Sequence, residues 1–307
     1  MDVVIRPTAE AAADLVARVI AREMRSNPRL VMGLASGNTM ESVYARLVQM
    51  HCEEGLDFSA CRTFNLDEYV GLSVNDANSY RHYMNRHLFL RVNINLQKTH
   101  LPDGMAANLP AECLNYERLI ATHGGIDLQL LGIGQNGHLG FNEPLSALRS
   151  RTRVTVLSRT TRAQNAPLFP DPNRVPQRAI TMGVGSILDC RQCLLLATGE
   201  EKAAIVAKAV EGPITSMISA TALQLHANCL LVLDEAAASQ LKESEYHHWL
   251  FENQPEWEPF RASELSSSTL DSQFQVERPE KKTAETVSEV INRVDGAAIL
   301  RTGNAPL

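Results

Sequence analysis

One histidine of this chain sits among four glycines, and a carboxylate follows five residues later: Gly132-Ile133-Gly134-Gln135-Asn136-Gly137-His138-Leu139-Gly140-Phe141-Asn142-Glu143-Pro144. So many glycines make the backbone bend around the ring. They are too many for a helix and too ordered for a linker. A His138–Glu143 pair suits proton transfer, because a carboxylate orients an imidazole and favours its charged form. A second stretch, Asn65-Leu66-Asp67-Glu68-Tyr69, places two carboxylates together where a strand is expected to run out into a loop. Burial would raise the pKa of one of them and make it a general base; an acidic cap on the next turn is the plainer reading. A third, Ser36-Gly37-Asn38-Thr39, joins a strand to a helix. Its hydroxyls and the free N–H groups of the helix start suit a phosphate, though a simple helix cap would look the same. A fourth, Thr198-Gly199-Glu200-Glu201-Lys202, offers Lys202 as a point charge for an anion.

These stretches need a scaffold. Short apolar runs at Val3–Ile5, Leu30–Ala35, Cys61–Leu66, Ile126–Ile133, Arg178–Met182, Cys193–Thr198 and Cys229–Leu233 predict strands. Between them lie helical patterns. In the first, Thr8 is a cap and Ala12, Leu15, Val16, Val19 and Ile20 share a face. Another carries Val43, Leu47 and Met50, and further helices are expected at Ser79–Val92, Ala107–His123 and Glu200–Val210. Strands alternating with helices predict an α/β fold: a doubly wound, mostly parallel sheet, Rossmann-like, with helices on both faces in a single main domain. In such a sheet ligands bind beyond the carboxyl ends of the strands. All four stretches sit at such ends, and that shared placement outweighs any one of them.

Other classes are disfavoured. A net charge of -6 argues against a nucleic-acid partner. There is no long apolar run for a membrane span and no signal-peptide pattern, so a cytoplasmic location is expected. The glycine pattern GxGxxG falls at Gly132–Gly137, but the histidine behind it does not suit a dinucleotide turn, and no Walker motif or GxSxG elbow is present. Six cysteines are scattered. Cys190 and Cys193 form a CxxC that reads as the flank of a buried strand, since a zinc site would want a second pair, and no histidine or cysteine cluster is read as having metal spacing. Residues 1–250 are expected to form the main domain. Residues 251–307, rich in Pro, Ser and Glu to about 280, read as a C-terminal extension of loop or disorder with one short helix near 283–294.

Taken together, the four stretches resemble the glucosamine-6-phosphate deaminase (isomerase) family over roughly residues 1–250. Arg149–Arg153, Gly183-Val184-Gly185 and Leu223-Gln224-Leu225-His226 are similar to it as well. The resemblance implies conversion of glucosamine 6-phosphate and water to fructose 6-phosphate and ammonia, with no metal or organic cofactor and a possible homo-oligomer. It implies that Asp67 is the base moving a proton between C2 and C1. His138 stands at the ring-opening residue, Glu143 at its carboxylate partner, and Asn136 where relatives carry aspartate or asparagine. Ser36, Gly37, Asn38, Thr39 and Lys202 stand at the phosphate site.

Three departures from the family pattern matter. Pro167 stands where many members have a phosphate-binding arginine, which predicts weaker phosphate binding, a substitute basic group or an altered substrate. The phosphate loop reads SGNT where many read TGGT, so Asn38 adds a side chain. At the allosteric site of regulated members Arg153 matches, but Thr155 replaces a lysine and Ala147 a serine, so activation by N-acetylglucosamine 6-phosphate is not expected. The same reaction on galactosamine 6-phosphate or another amino sugar phosphate is the alternative reading. A 6-phosphogluconolactonase-like hydrolase and a non-catalytic sugar-phosphate sensor are the readings from other classes.

Overall fold

The computed structural model describes residues 1–171 and 174–261. Seven strands form one parallel sheet: β1 (Asp2–Arg6), β2 (Val31–Leu34), β3 (Arg62–Asn65), β5 (Thr99–His100), β6 (Leu128–Leu131), β9 (Gln192–Ala197) and β10 (Cys229–Asp234). Their order across the sheet is β1-β10-β9-β6-β2-β3-β5, and every pairing is parallel. The central strands are buried along their length because helices cover both faces, which is why they read as unbroken apolar runs.

The first crossover shows how local sequence sets an element. Helix α1 (Ala9–Ser26) starts where the Thr8 hydroxyl accepts the Ala11 N–H at 3.2 Å. It buries Ala12, Leu15, Val16, Val19 and Ile20, the predicted face. It ends at Asn27, just before Pro28, since the residue before a proline leaves the helical region. Helix α2 (Asn38–Glu54) follows β2, buries Val43, Leu47 and Met50, and ends at Gly55 in the left-handed conformation. Helix α4 (Leu109–Thr122) starts at Asn108, whose side chain caps Ala111.

Chain order reverses direction between β2 and β6. From β2 the chain winds outward to β3 and β5; from β6 it winds the other way to β9 and β10. The carboxyl ends of β2 and β6 therefore splay apart, and a crevice opens between them.

Three expectations differ from the structure. Asp67–Tyr69 is not the start of a loop. It forms strand β4, which pairs antiparallel with β8 (Arg178–Thr181), itself expected in the main sheet. With β7 (Arg153–Val156), not anticipated, they make a second sheet of order β4-β8-β7. It carries a separate small core of Tyr69, Phe141, Leu157, Phe169, Val175 and Ala179. Strands this short hold in place by side-chain packing and carry little periodicity of their own. The expected helix Ser79–Val92 is also broken: α3 (Tyr80–Met84) runs into a wide turn, Asn85–Phe89.

The packed body extends past residue 250. Phe251, Trp257 and Phe260 are buried in the main core, and the segment around them is helical. Their polar neighbours masked three aromatic anchors. The helix expected at 283–294 lies outside the described residues.

Candidate active site

A cavity of about 740 Å³ occupies the crevice at the switch point. Its walls include Ser36–Thr39 after β2, Asp67 and Tyr69 from β4, the Gly132–Gln135 loop after β6 with His138, and Glu201 and Lys202 after β9. Each predicted stretch reaches it.

One end of the cavity is built by the turn into α2. No side chain caps this helix, so its first N–H groups stay available. The Ser36 hydroxyl is buried without a hydrogen-bond partner. A side-chain cap would have satisfied these groups, and none is present at this turn. The Tyr83 hydroxyl donates to the Gly37 carbonyl at 2.8 Å, which holds the turn from outside. Lys202 also lines the cavity. Its ammonium donates to the Ile133 carbonyl at 2.9 Å, and burial lowers its pKa.

Asp67 is the most perturbed carboxylate of the cavity. Burial, and then the nearby Glu68 charge, push it up to about 8. Its neighbour has a different part. Glu68 accepts backbone N–H groups from Tyr69 at 2.9 Å and from Tyr80 and Arg81 at 3.0 Å each. Glu68 thus anchors α3, while Asp67 faces the cavity. Gly140, at φ 56°, lies so close that a Cβ there would stand 3.1 Å from the Asp67 carboxylate. A side chain at 140 would press on that carboxylate.

His138 lines the same cavity. A Cβ at Gly134 would come within 2.3 Å of its Nε2, so only glycine leaves room for the ring. Burial, and secondarily Lys202, lower its pKa, while Glu143 works against them. His138 Nδ1 lies 3.8 Å from Glu143 Oε2. Asn136 bridges the two: its amide donates to Glu143 Oε2 at 3.2 Å and its oxygen accepts the His138 backbone N–H at 3.2 Å. Burial alone would raise Glu143. Hydrogen bonds from Thr161 and the Ser158 N–H, the His138 charge and Asn136 bring it below its ordinary value instead.

The structure thus splits the expected catalytic set. Asp67 and His138 line the cavity; Asn136 and Glu143 stand behind the histidine and do not. All five expected anion-site residues line it. Other lining residues carried no sequence signal. Arg86 and His87, in the wide turn after α3, face the cavity that Pro167 also lines. Arg86 pairs with no carboxylate among the described residues, whereas His87 faces Glu41 at 3.8 Å. An arginine in an ordinary helical pattern reads as a solvated side chain, so only the packing of α3 reveals these two. Helix α5 (Arg159–Asn165) closes one side, with a Gln164–Gln135 hydrogen bond and an Asn165 amide donating to the Tyr69 hydroxyl at 2.8 Å.

Fold and cavity together define an α/β protein that sets an uncapped helix start beside a buried carboxylate and a histidine. The chain belongs to the glucosamine-6-phosphate isomerase/6-phosphogluconolactonase family, whose model matches residues 6–231. A relative from Arthrobacter sp. (strain FB24), named glucosamine-6-phosphate deaminase, is 44% identical over 258 residues, which is 84% of this chain and 99% of the relative. A solved structure, a monomeric glucosamine-6-phosphate deaminase, superposes with a TM-score of 0.77 at 43% identity, covering 78% of this chain and all of that one. A 6-phosphogluconolactonase from Trypanosoma brucei superposes at 0.62 with 20% identity, over 78% of this chain and 98% of its own; it shares the fold.

Proposed function

We propose that this chain is a glucosamine-6-phosphate deaminase, converting glucosamine 6-phosphate and water to fructose 6-phosphate and ammonia. The observation that carries the reading is Asp67: a buried carboxylate held near 8, on the wall of a cavity whose other end is an anion cradle. Lactone hydrolysis needs no base that moves a proton between carbons, which is why the reading follows the deaminase relatives and not the lactonase folds.

The phosphate binds the Ser36–Thr39 turn and Lys202, and this remote contact positions the reacting carbons. His138 moves the proton between the anomeric hydroxyl and the ring oxygen, and the ring opens. Asn136 and Glu143 act through His138 by setting its orientation and charge. Ionised Asp67 then takes the C2 proton and returns it to C1, while one proton of the C2 ammonium passes to the C1 oxygen, which becomes a hydroxyl. The carbonyl function is thereby shifted to C2 as an iminium, and water adds there with loss of ammonia. Each acid–base group of this kind contributes about 10²–10⁴ in rate. Arg86 stands in for the charge missing at Pro167. None of the six cysteines is in a disulfide, which supports a reducing, cytoplasmic location.

The deciding experiment measures ammonia release from glucosamine 6-phosphate and galactosamine 6-phosphate with folded protein, beside Asp67→Asn. Release from the first sugar, abolished in the variant, is the expected result. Absence of release from both would sink the reading in favour of a sensor.

A further inference from the structure

Cys190 and Cys193 belong to a larger cluster than a CxxC. His226 and Cys229 repeat the same spacing, so the chain carries C-x2-C followed by H-x2-C. A count of cysteine pairs alone misses the second half because one member is histidine. Cys190 lies just after α6 (Val184–Leu188), and Cys193 lies in β9. His226 follows the turn Ser219–Leu225, and Cys229 opens β10. Strands β9 and β10 are parallel neighbours, and Cys193 stands opposite Cys229 in their register. Side chains so paired point to one face of the sheet.

The ligand atoms converge. Cys190 Sγ is 3.3 Å from Cys193 Sγ and 3.7 Å from His226 Nε2. One ligand atom each from Cys190, Cys193 and His226 lies within 4.8 Å of the others. A tetrahedral ion with metal–sulfur bonds of about 2.3 Å holds its ligands roughly 3.8 Å apart. All four residues are buried, with His226 the most accessible at 8%. None lines the cavity, which sits at the carboxyl ends of the strands, whereas this cluster sits where β9 and β10 begin.

We propose that Cys190, Cys193, His226 and Cys229 bind one thiophilic divalent ion of the zinc class, a structural site apart from the cavity. Three thiols and an imidazole make a recurrent closed donor set for such an ion. Before coordination, the Asn228 N–H donates to His226 Nδ1 at 3.1 Å, and Nε2 lies 2.8 Å from the Cys190 carbonyl, so the ring proton is on Nε2. On coordination the Nε2 lone pair bonds the ion, the ring proton moves to Nδ1, and the Asn228 N–H is released. Cys229 completes the set by turning its side chain. Each thiol forms a metal–sulfur bond and yields its proton to solvent, so three protons leave per ion. The ion joins the α6–β9 turn to the start of β10, two segments far apart in sequence.

The test uses full-length protein purified under reductant, stripped with chelator and titrated with Cd²⁺, then Zn²⁺. The expected result is one ion per chain, an ultraviolet sulfur-to-cadmium charge-transfer band, three protons released and a higher Tm. In the double variant Cys190→Ala/Cys229→Ala, affinity falls at least about tenfold and the band is lost. Cys52→Ser, at an exposed position, changes neither. If the double variant does not fold, the wild-type titration decides alone. No stoichiometric ion, a band retained in the double variant, or a Cys190–Cys193 disulfide that yields no ion uptake on reduction would each overturn the proposal. None of these readouts depends on turnover, so they are independent of the proposed reaction.

Discussion

His138 Nδ1 and the Glu143 carboxylate stand 3.8 Å apart, and Asn136 rather than a direct hydrogen bond holds them there. The nitrogen is buried without a hydrogen-bond partner. An unmade bond at this position leaves the imidazole free to take up a proton and then be stabilised by the carboxylate.

Glu143→Gln removes the group that works to raise His138, so the histidine pKa falls further below its ordinary value. We expect kcat to drop by about 10²-fold with little change in KM. Nuclear magnetic resonance titration of the His138 ring checks the shift, and steady-state kinetics check the rate. An unchanged histidine titration would remove Glu143 from its assigned part.

Asp67 couples activity and stability to pH in opposite senses. In the unfolded chain its carboxyl ionises near 3.8; in the folded protein it holds its proton to about 8. Between those values the folded state binds one more proton than the unfolded state. Its contribution to stability therefore falls as pH rises through this window, then levels off. Asp67→Asn abolishes turnover yet stabilises the fold, with a gain that grows from pH 5 to pH 8 to the order of a few kcal/mol. Urea midpoints at the two pH values measure it. In the wild type, kcat/KM rises towards an apparent pKa near 8, the base becoming ionised.

Arg86 and Pro167 line the same cavity, and Arg86 is proposed to supply the charge that Pro167 lacks. Arg86→Ala is expected to raise KM for the phosphorylated sugar about tenfold, the size of one charge-assisted hydrogen bond, with kcat little changed. Pro167→Arg should lower KM. Inhibition by inorganic phosphate gives an independent measure, and an Arg86→Ala variant with unaltered phosphate affinity would exclude the assignment.

Arg153 is already engaged within the chain. Its guanidinium donates to Asn142 Oδ1 at 2.8 Å, to the Ser146 hydroxyl at 2.9 Å and to that of Ser150 at 3.2 Å. With Thr155 and Ala147 beside it in sequence, this leaves a poor pocket for a second sugar phosphate. Adding N-acetylglucosamine 6-phosphate to the assay is expected to leave the rate curve unchanged.

Much of this protein was legible one residue at a time. Six of the seven apolar runs became strands of the parallel sheet, because a strand buried on both faces has no polar side to show; the seventh, Arg178–Met182, joined the second sheet. The glycines around His138 announced a constrained ring, because only glycine tolerates Gly134's approach to the imidazole. Local sequence also placed Asp67 and Lys202 at strand ends, where such sheets bind ligands. Tertiary structure decided what depends on distant partners. Asp67 became a strand residue because β8, far along the chain, pairs with it, and that burial sets its pKa. Asn136 and Glu143 moved behind the ring, Arg86 entered the cavity and His226 met the cysteines through packing that no local pattern encodes. Backbone preference and burial are written in short-range sequence; the meeting of side chains across strands is written only in the fold.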